Sequence, residues 1–341
     1  MALSIYDLHL RQRRLLLDGD LEAQAQLLSA WATVYRSLRL RLDLVLSLIA
    51  QERKSGRPVT VAWLRRQARY ETLLQQVAFE TTRFGVEVEA LTATRQHAAI
   101  RMAREQSASL LSLGLLGDEG LSIGFDRVNV SALEAMVGTL GDGSPLRETT
   151  LAAFPATAVQ AVEDALIEGI AAGRSQSAAT KVVREALDVT RSQAARIVRT
   201  ETNRAYRVAS LEQYRANEES VSGWIWVSSL SDRTCPMCWG MHGTFHRLTE
   251  EFASHVNCRC TMIPAIKGVP LNVQSGEAAF TLLSDERKKT ILGPAKFAAF
   301  QSGEINLRDT VQRTNDERWG PGRQERSLKR IRQIKSQRAS A

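Results

Sequence analysis

Cys235-Pro236-Met237-Cys238 is followed, after sixteen residues, by His255-Val256-Asn257-Cys258-Arg259-Cys260, and these runs hold all four cysteines of a 341-residue chain. Scattered at random, four cysteines would not fall within 26 positions. One small region therefore needs soft, deprotonatable side chains, and the rest of the chain does not. A close pair, a gap and a second pair with a histidine is the layout of a zinc-stapled loop. Cys235 and Cys238 can reach one ion from a tight turn, and His255, Cys258 and Cys260 offer one donor more than the two still needed. Cys258 and Cys260 point the same way if that segment is extended, whereas His255 and Cys258 suit a turn. Four protein donors close a site and make it structural. The expected task of the ion is to hold the loop from Cys238 to His255, which has few apolar residues. The same residues also read as reduced thiols in a small core, or as a disulfide pair. His242 and His246, in the intervening loop, read as ordinary surface or turn residues. The flanks are β-prone: Trp224-Ile225-Trp226-Val227 before, a turn at 228–232, and Thr261-Met262-Ile263-Pro264 as an exit strand.

Outward from this segment the pattern is helical. From Leu27 the apolar positions Leu28, Trp31, Val34, Tyr35, Leu38, Leu42, Val45, Leu46 and Ile49 follow a three-and-four spacing. Gly56-Arg57-Pro58 breaks it, and Thr60 can cap a second helix carrying Trp63, Leu64, Leu73, Leu74 and Val77. Past Phe84-Gly85 a third helix is expected over about 86–113. The glycine-rich stretch 114–130 reads as a boundary, and Ser131-Ala132-Leu133-Glu134 as a capping box opening a helix that stops at Gly141. Thr157 opens another helix, ending at Gly173. Two more are expected over about 177–187 and 190–216, a spacing that invites a helix-turn-helix reading. Ser284 caps a short helix, and Gly293-Pro294 stops it and starts the next, which ends near Gly303. The fold class expected is mainly α (α+β): long N-terminal helices and a helical central domain with a small β/loop zinc-knuckle-like segment. The divisions expected are an N-terminal helical region over 1–125, a central domain over 131–265, a helical segment over 266–322 and a basic flexible tail over 323–341.

Composition agrees with a helical globular chain, at 44% hydrophobic, 24% charged and 6% aromatic residues. No apolar run is long enough to span a bilayer, and the start lacks a charged n-region followed by an apolar run, so neither membrane nor secretory signal is expected. In a reducing compartment clustered cysteines favour metal over disulfide. The net charge of +8 is concentrated at the end, where Arg323, Arg326, Lys329, Arg330, Arg332, Lys335 and Arg338 face one acid, Glu325, and carry +6 of it. Nonspecific attraction to nucleic acid is expected there; a solvated, frayed terminus is the alternative.

Arg199-Thr200-Glu201-Thr202 with Asn203 and Ala205, then Trp224 and Trp226, then Asp232-Arg233-Thr234-Cys235-Pro236-Met237-Cys238, Gly243 and the His255–Cys260 run occur in that order. Together they resemble the phage Mu F-type head morphogenesis domain, the minor head protein family of tailed bacteriophages, over about Thr157 to Pro264. Val256 stands where relatives commonly carry proline. A downstream block, Ile291-Leu292-Gly293-Pro294-Ala295-Lys296-Phe297 with Gly303, is of the kind similar proteins carry. The resemblance implies a low-copy capsid protein at the portal vertex, acting in head assembly and DNA packaging. Portal protein and major capsid or scaffold protein would be its partners, phage DNA would be bound nonspecifically, and the location would be the virion, after the host cytoplasm during assembly. No catalytic residue comes with the domain. Arg199, Thr200 and Glu201 would pin the helix against the cysteine region, and Asp232 belongs to the same structural motif. The competing class is a metal-dependent nuclease using Asp232, His242 or His255 around a divalent ion. A mainly cysteine donor set argues against a hard Mg²⁺ centre.

Overall fold

The computed structural model describes residues 4–115, 128, 130–316 and 320–339. The helical spacing of the first part folds as α1 (Ile5–Lys54), a short α2 (Val61–Arg65) and α3 (Ala68–Gly114). Along α1 Leu27, Trp31, Val34, Leu38, Leu42, Val45 and Ile49 are buried, while Leu28 turns outward. Thr60 caps α2, its hydroxyl accepting the Trp63 N–H at 3.1 Å. The expected break at Phe84-Gly85 does not occur. A glycine inside a helix costs only about 1 kcal/mol relative to alanine. Here Phe84 is fixed by packing, 4.9 Å from the Trp31 ring and 6.3 Å from that of Phe154.

The boundary expected over 114–130 lies largely outside the described residues. Beyond it come α4 (Val130–Glu134), α5 (Leu146–Thr149), α6 (Phe154–Ala171) and α7 (Gln176–Arg215). Ser131 is inside α4 rather than at its cap, and α4 ends at Glu134, short of Gly141. Helix α6 starts at Phe154, with Pro155 in its first turn. The two helices expected over 177–216 are one, so no helix-turn-helix forms there. Asp188 and Thr190, which looked like a break, sit in mid-helix: Asp188 accepts from the Trp31 indole at 3.0 Å, and Thr190 is buried.

The chain packs as two compact units that do not follow its order. One takes Gly19–Arg95 and Gly138–Arg199, and is wholly helical apart from its turns; the Trp31, Phe84 and Phe154 rings are central to its core. The other takes Met1–Asp18, Gln96–Val137 and Thr200–Ala341, and contains the cysteines. Helices α1, α3 and α7 each contribute to both.

In the second unit β1 (Val221–Val227) is followed by α8 (Pro236–Met241), β2 (Phe245–Arg247) and β3 (Thr261–Ile266). The antiparallel sheet has the order β2-β1-β3, with Trp224 opposite His246 and Trp226 opposite Met262. Next come α9 (Gly276–Thr281) and α10 (Asp285–Gln301). Ser284 caps α10 by accepting the Arg287 N–H, and Gly293 at φ 73° kinks it before Pro294. Two glycines permit close approach: a Cβ on Gly276 would lie 1.8 Å from the Trp239 carbonyl oxygen, and one on Gly240 2.7 Å from that of Leu307.

The C-terminal end is ordered where sequence reading expected a flexible tail. It forms a hairpin, β4 (Val311–Asp316) with β5 (Gly320–Glu325), and then α11 (Leu328–Ala339). Ile331 packs with Ala299 and Ile305, and Leu328 lies against them. Two apolar residues among many bases supply this docking, which charge alone does not reveal. Of the described residues 68% are helical, with small sheets, a mainly α fold with some β. No helix among the described residues is long and apolar enough to cross a membrane.

Candidate metal centre

Cys235 is the N-cap of α8 and Pro236 its first residue, so Cys235 and Cys238 stand on one helical turn. The second run reaches them through a left-handed bend at Asn257, φ 70°. Asparagine tolerates that conformation better than a branched residue does. The bend is pinned from α7, where the Thr200 hydroxyl accepts the Asn257 N–H at 2.8 Å.

His255 Nε2 lies 3.4 Å from Cys235 Sγ and 3.3 Å from Cys238 Sγ, and Cys238 Sγ is 3.8 Å from Cys258 Sγ. Ligand atoms of Cys235, Cys238 and His255 lie within 4.8 Å of one another, as do those of Cys238, Cys258 and Cys260. Donors 2.3 Å from a tetrahedral ion would stand about 3.8 Å apart, so the donor spacing fits a metal. The imidazole is oriented for it: Nδ1–H donates to the Val256 carbonyl at 2.7 Å, which leaves Nε2 facing the thiols.

The electrostatics favour thiolate at two of these sulfurs. Hydrogen bonding from Cys238, with His255 beyond it, lowers Cys235 to about 5. Burial would raise Cys258, yet hydrogen bonds from Cys238 and Cys260 and the charge of Arg207 hold it well below its ordinary value. Burial pushes Cys260 up to about 12. For His255 burial acts downward, but hydrogen bonds to Cys235 and Cys258 bring it up to about 11. Such a cluster attracts a cation, whether proton or metal.

An aromatic stack braces the long loop, which is better cored than its sequence indicates. Phe252 lies 3.9 Å from the Trp226 ring and 5.1 Å from Trp224, and His246 stacks on Trp224 at 4.2 Å. His242 and His246 are therefore not surface residues; both are buried. His242 Nδ1 accepts the Ser228 N–H at 2.9 Å, and burial lowers its imidazole to about 4.

The other residues singled out from sequence fall into different surroundings. Arg199 pairs with Asp20 at 2.8 Å, in the first unit, and Glu201 with Arg204 at 2.6 Å. Thr200 of that motif reaches the cysteine region, at the Asn257 N–H. Asp232 is in an exposed ion pair with Arg287 at 2.7 Å. Asp232, His242 and His255, the residues of the nuclease reading, thus have three separate sets of partners. Of the C-terminal bases, Arg323 is buried, donating to the Ala253 carbonyl at 2.8 Å and lying over the Trp226 ring. Arg326 donates to the Asp309 carbonyl, Arg332 pairs with Glu304 and Lys335 with Asp309. Lys329, Arg330 and Arg338 are exposed on α11.

Sequence reasoning missed two arginines. Arg207, 4% exposed on α7, donates Nε to the Cys260 carbonyl at 2.8 Å, Nη2 to that of Cys258 at 2.7 Å and Nη1 to Ser254 Oγ at 2.7 Å. Arg13, 5% exposed on α1, donates to the Ser228 and Arg259 carbonyls at 3.1 and 3.0 Å. Arg207 lies one helical turn from Arg204 on a charged stretch of α7, so the local pattern held no usable signal for it. Arg13, more than two hundred residues from its partners, carried none.

The fold and site define a helical protein with a compact Cys/His knuckle that could hold a metal ion. Residues 160–263, which span α7 and the knuckle, match the family described as Phage Mu protein F like protein, and over that stretch the chain is similar to it. No curated protein and no solved structure matches the chain.

Proposed function

We propose that this protein is a minor capsid protein of a tailed bacteriophage, located at the portal vertex and acting in head assembly and DNA packaging. The observation that carries the reading is the family match over 160–263, which takes in every cysteine and histidine of the knuckle. Portal protein and major capsid or scaffold protein are its partners. Within this reading the knuckle is a zinc staple: its closely set thiols and oriented imidazole suit Zn²⁺, and an ion held by protein donors alone supports shape rather than chemistry. Contact with DNA falls to Lys329, Arg330 and Arg338, the exposed bases of α11 that pair with no acid in the ion pairs above. Such phosphate contacts are independent of sequence and weaken with salt.

Co-expression of the chain with the portal and major capsid proteins of the same phage tests this directly. The chain should sediment with purified heads, and heads assembled without the portal should lack it. Heads that form and package normally without the chain would overturn the assignment. For the DNA contact, changing Lys329, Arg330 and Arg338 together to Gln should weaken duplex binding and flatten its salt dependence. Unchanged affinity refutes that part alone.

A further inference from the structure

Three consecutive carbonyls of the knuckle, those of Cys258, Arg259 and Cys260, each accept a hydrogen bond from a buried guanidinium. Arg207 supplies the outer two from α7, and Arg13 the middle one from α1. Their other hydrogen-bond partners are the Ser254 hydroxyl and the Ser228 carbonyl, both neutral, and Arg207 also lies over the Phe252 ring at 4.8 Å. Guanidinium stays charged at any ordinary pH, and burying a cation against neutral acceptors is expensive unless an anion lies close by. Of the groups that counter the burial of Arg13, Cys260 and Cys258 foremost, Cys258 is the one held toward thiolate. The charge of Arg207 likewise acts on Cys258.

The carbonyl pattern has a second effect. With these C=O groups turned to the arginines, the Cys260 N–H faces sulfur, 3.5 Å from Cys258 Sγ. Cys260 Sγ, though within 4.8 Å of the Cys238 and Cys258 sulfurs, donates to Ser228 Oγ at 3.3 Å, a hydroxyl that also donates to the Cys238 carbonyl at 2.6 Å and accepts from the Trp226 indole at 3.1 Å. Of the five possible donors, Cys260 is thus the one committed to another partner.

Resting on the zinc-staple reading, we infer that the donor set is Cys235, Cys238, His255 and Cys258, and that Arg207 and Arg13 are its counter-cations. Three thiolates and a neutral imidazole around Zn²⁺ leave a net negative charge, and the two guanidiniums compensate it through the knuckle backbone. Arg207 and Arg13 are positioning residues; neither touches the ion. Cys260 holds the serine at the base of the knuckle and stays outside the coordination shell.

The test uses the full-length protein, its zinc content, competition with a chromophoric chelator, and the spectrum of the Co²⁺-substituted form. The wild type should hold stoichiometric zinc and give thiolate-to-Co²⁺ charge-transfer and tetrahedral d–d bands. Arg207→Gln should weaken metal binding by about 10–100-fold, as loss of outer-shell partners does, and Arg207→Lys should recover most of it by keeping the charge. Cys260→Ser should leave stoichiometry and Co²⁺ bands unchanged, whereas Cys258→Ser should reduce the charge-transfer intensity. A wild type that binds no metal removes the staple and this inference together. If the wild type binds metal while Arg207→Gln equals it, or Lys behaves as Gln, the counter-cation role alone is refuted. Charge-transfer intensity lost in Cys260→Ser overturns the donor set, and this variant remains informative even if Arg207→Gln does not fold.

Discussion

Asp20 on α1 and Arg199 on α7 form the ion pair whose loss the structure makes most predictable. Each side chain is 10% exposed, and Arg199 Nε stands 2.8 Å from both carboxylate oxygens. At an effective dielectric near 20, unit charges at that separation attract by about 6 kcal/mol. Withdrawing each ion from water costs several kcal/mol, so the two effects nearly cancel and the intact pair contributes little net stability. Removing one partner leaves the other charge buried without its counterpart. Asp20→Ala and Arg199→Ala should therefore each destabilise the protein by about 3–5 kcal/mol. The double variant Asp20→Leu/Arg199→Met, which replaces both charges with apolar volume, should stay within about 1–2 kcal/mol of wild type. Urea unfolding followed by tryptophan fluorescence and far-ultraviolet circular dichroism reads all four proteins. Trp31, in the same unit and bonded to Asp188 of α7, makes fluorescence sensitive to this helix pair. A double variant as unstable as the sum of the two singles refutes the reasoning, because the residues would then act independently.

At the knuckle bend, Asn257→Gly should be neutral to slightly stabilising and Asn257→Val should cost about 1–2 kcal/mol, since φ 70° suits glycine and opposes a β-branched side chain; thermal melts with equal midpoints for the two variants would count against the bend as a constraint. Gly276→Ala should cost about 1–3 kcal/mol or more, because its methyl would meet the Trp239 carbonyl oxygen at 1.8 Å and only backbone movement relieves it; a wild-type urea midpoint refutes this. Burial, reinforced by Arg13, lowers the His9 imidazole to about 3. The unfolded chain takes up that proton near pH 6.5, so this contribution is complete above pH 6.5 and is lost as pH falls toward 3. His9→Gln should remove a slope of about 1.4 kcal/mol per pH unit in that window. Urea midpoints of both proteins at pH 7 and pH 5 measure it, and parallel lines refute it.

The predominance of helix, the knuckle segment and its flanking strands were legible because each rests on local signals: apolar spacing, caps at Thr60 and Ser284, and donors crowded into one run. What was not legible depends on distant partners. Phe84-Gly85 and Asp188–Thr190 look like breaks within a short window, yet Trp31 and Phe154 hold those helices continuous from elsewhere in the chain. The C-terminal helix was obscured by its own charge, since Leu328 and Ile331 are outnumbered by the bases around them. At the knuckle the crowding of cysteine and histidine was evident from composition, but the bend at Asn257 and the serine that engages Cys260, on which the proposed donor set rests, depend on the fold.

The bond from Arg13 to the Ser228 carbonyl joins residues 215 positions apart. A ribosome adding about 5–20 residues per second reaches Ser228 some 10–40 s after Arg13. Through that interval the first turns of α1 exist without the segment that accepts their buried arginine and His9. The nascent chain therefore has α3 for α1 to pack on, where Gln106 donates to the Gln12 carbonyl, well before it has the knuckle acceptors of Arg13. The block recognisable by family is equally dependent: a fragment restricted to 160–263 lacks Arg13, Asp20 and Trp31, and would leave Arg259, Arg199 and Asp188 without the partners they have here. Expression designs for this protein should keep the N-terminal helices, since the matched stretch is divided between the two compact units and is whole in neither.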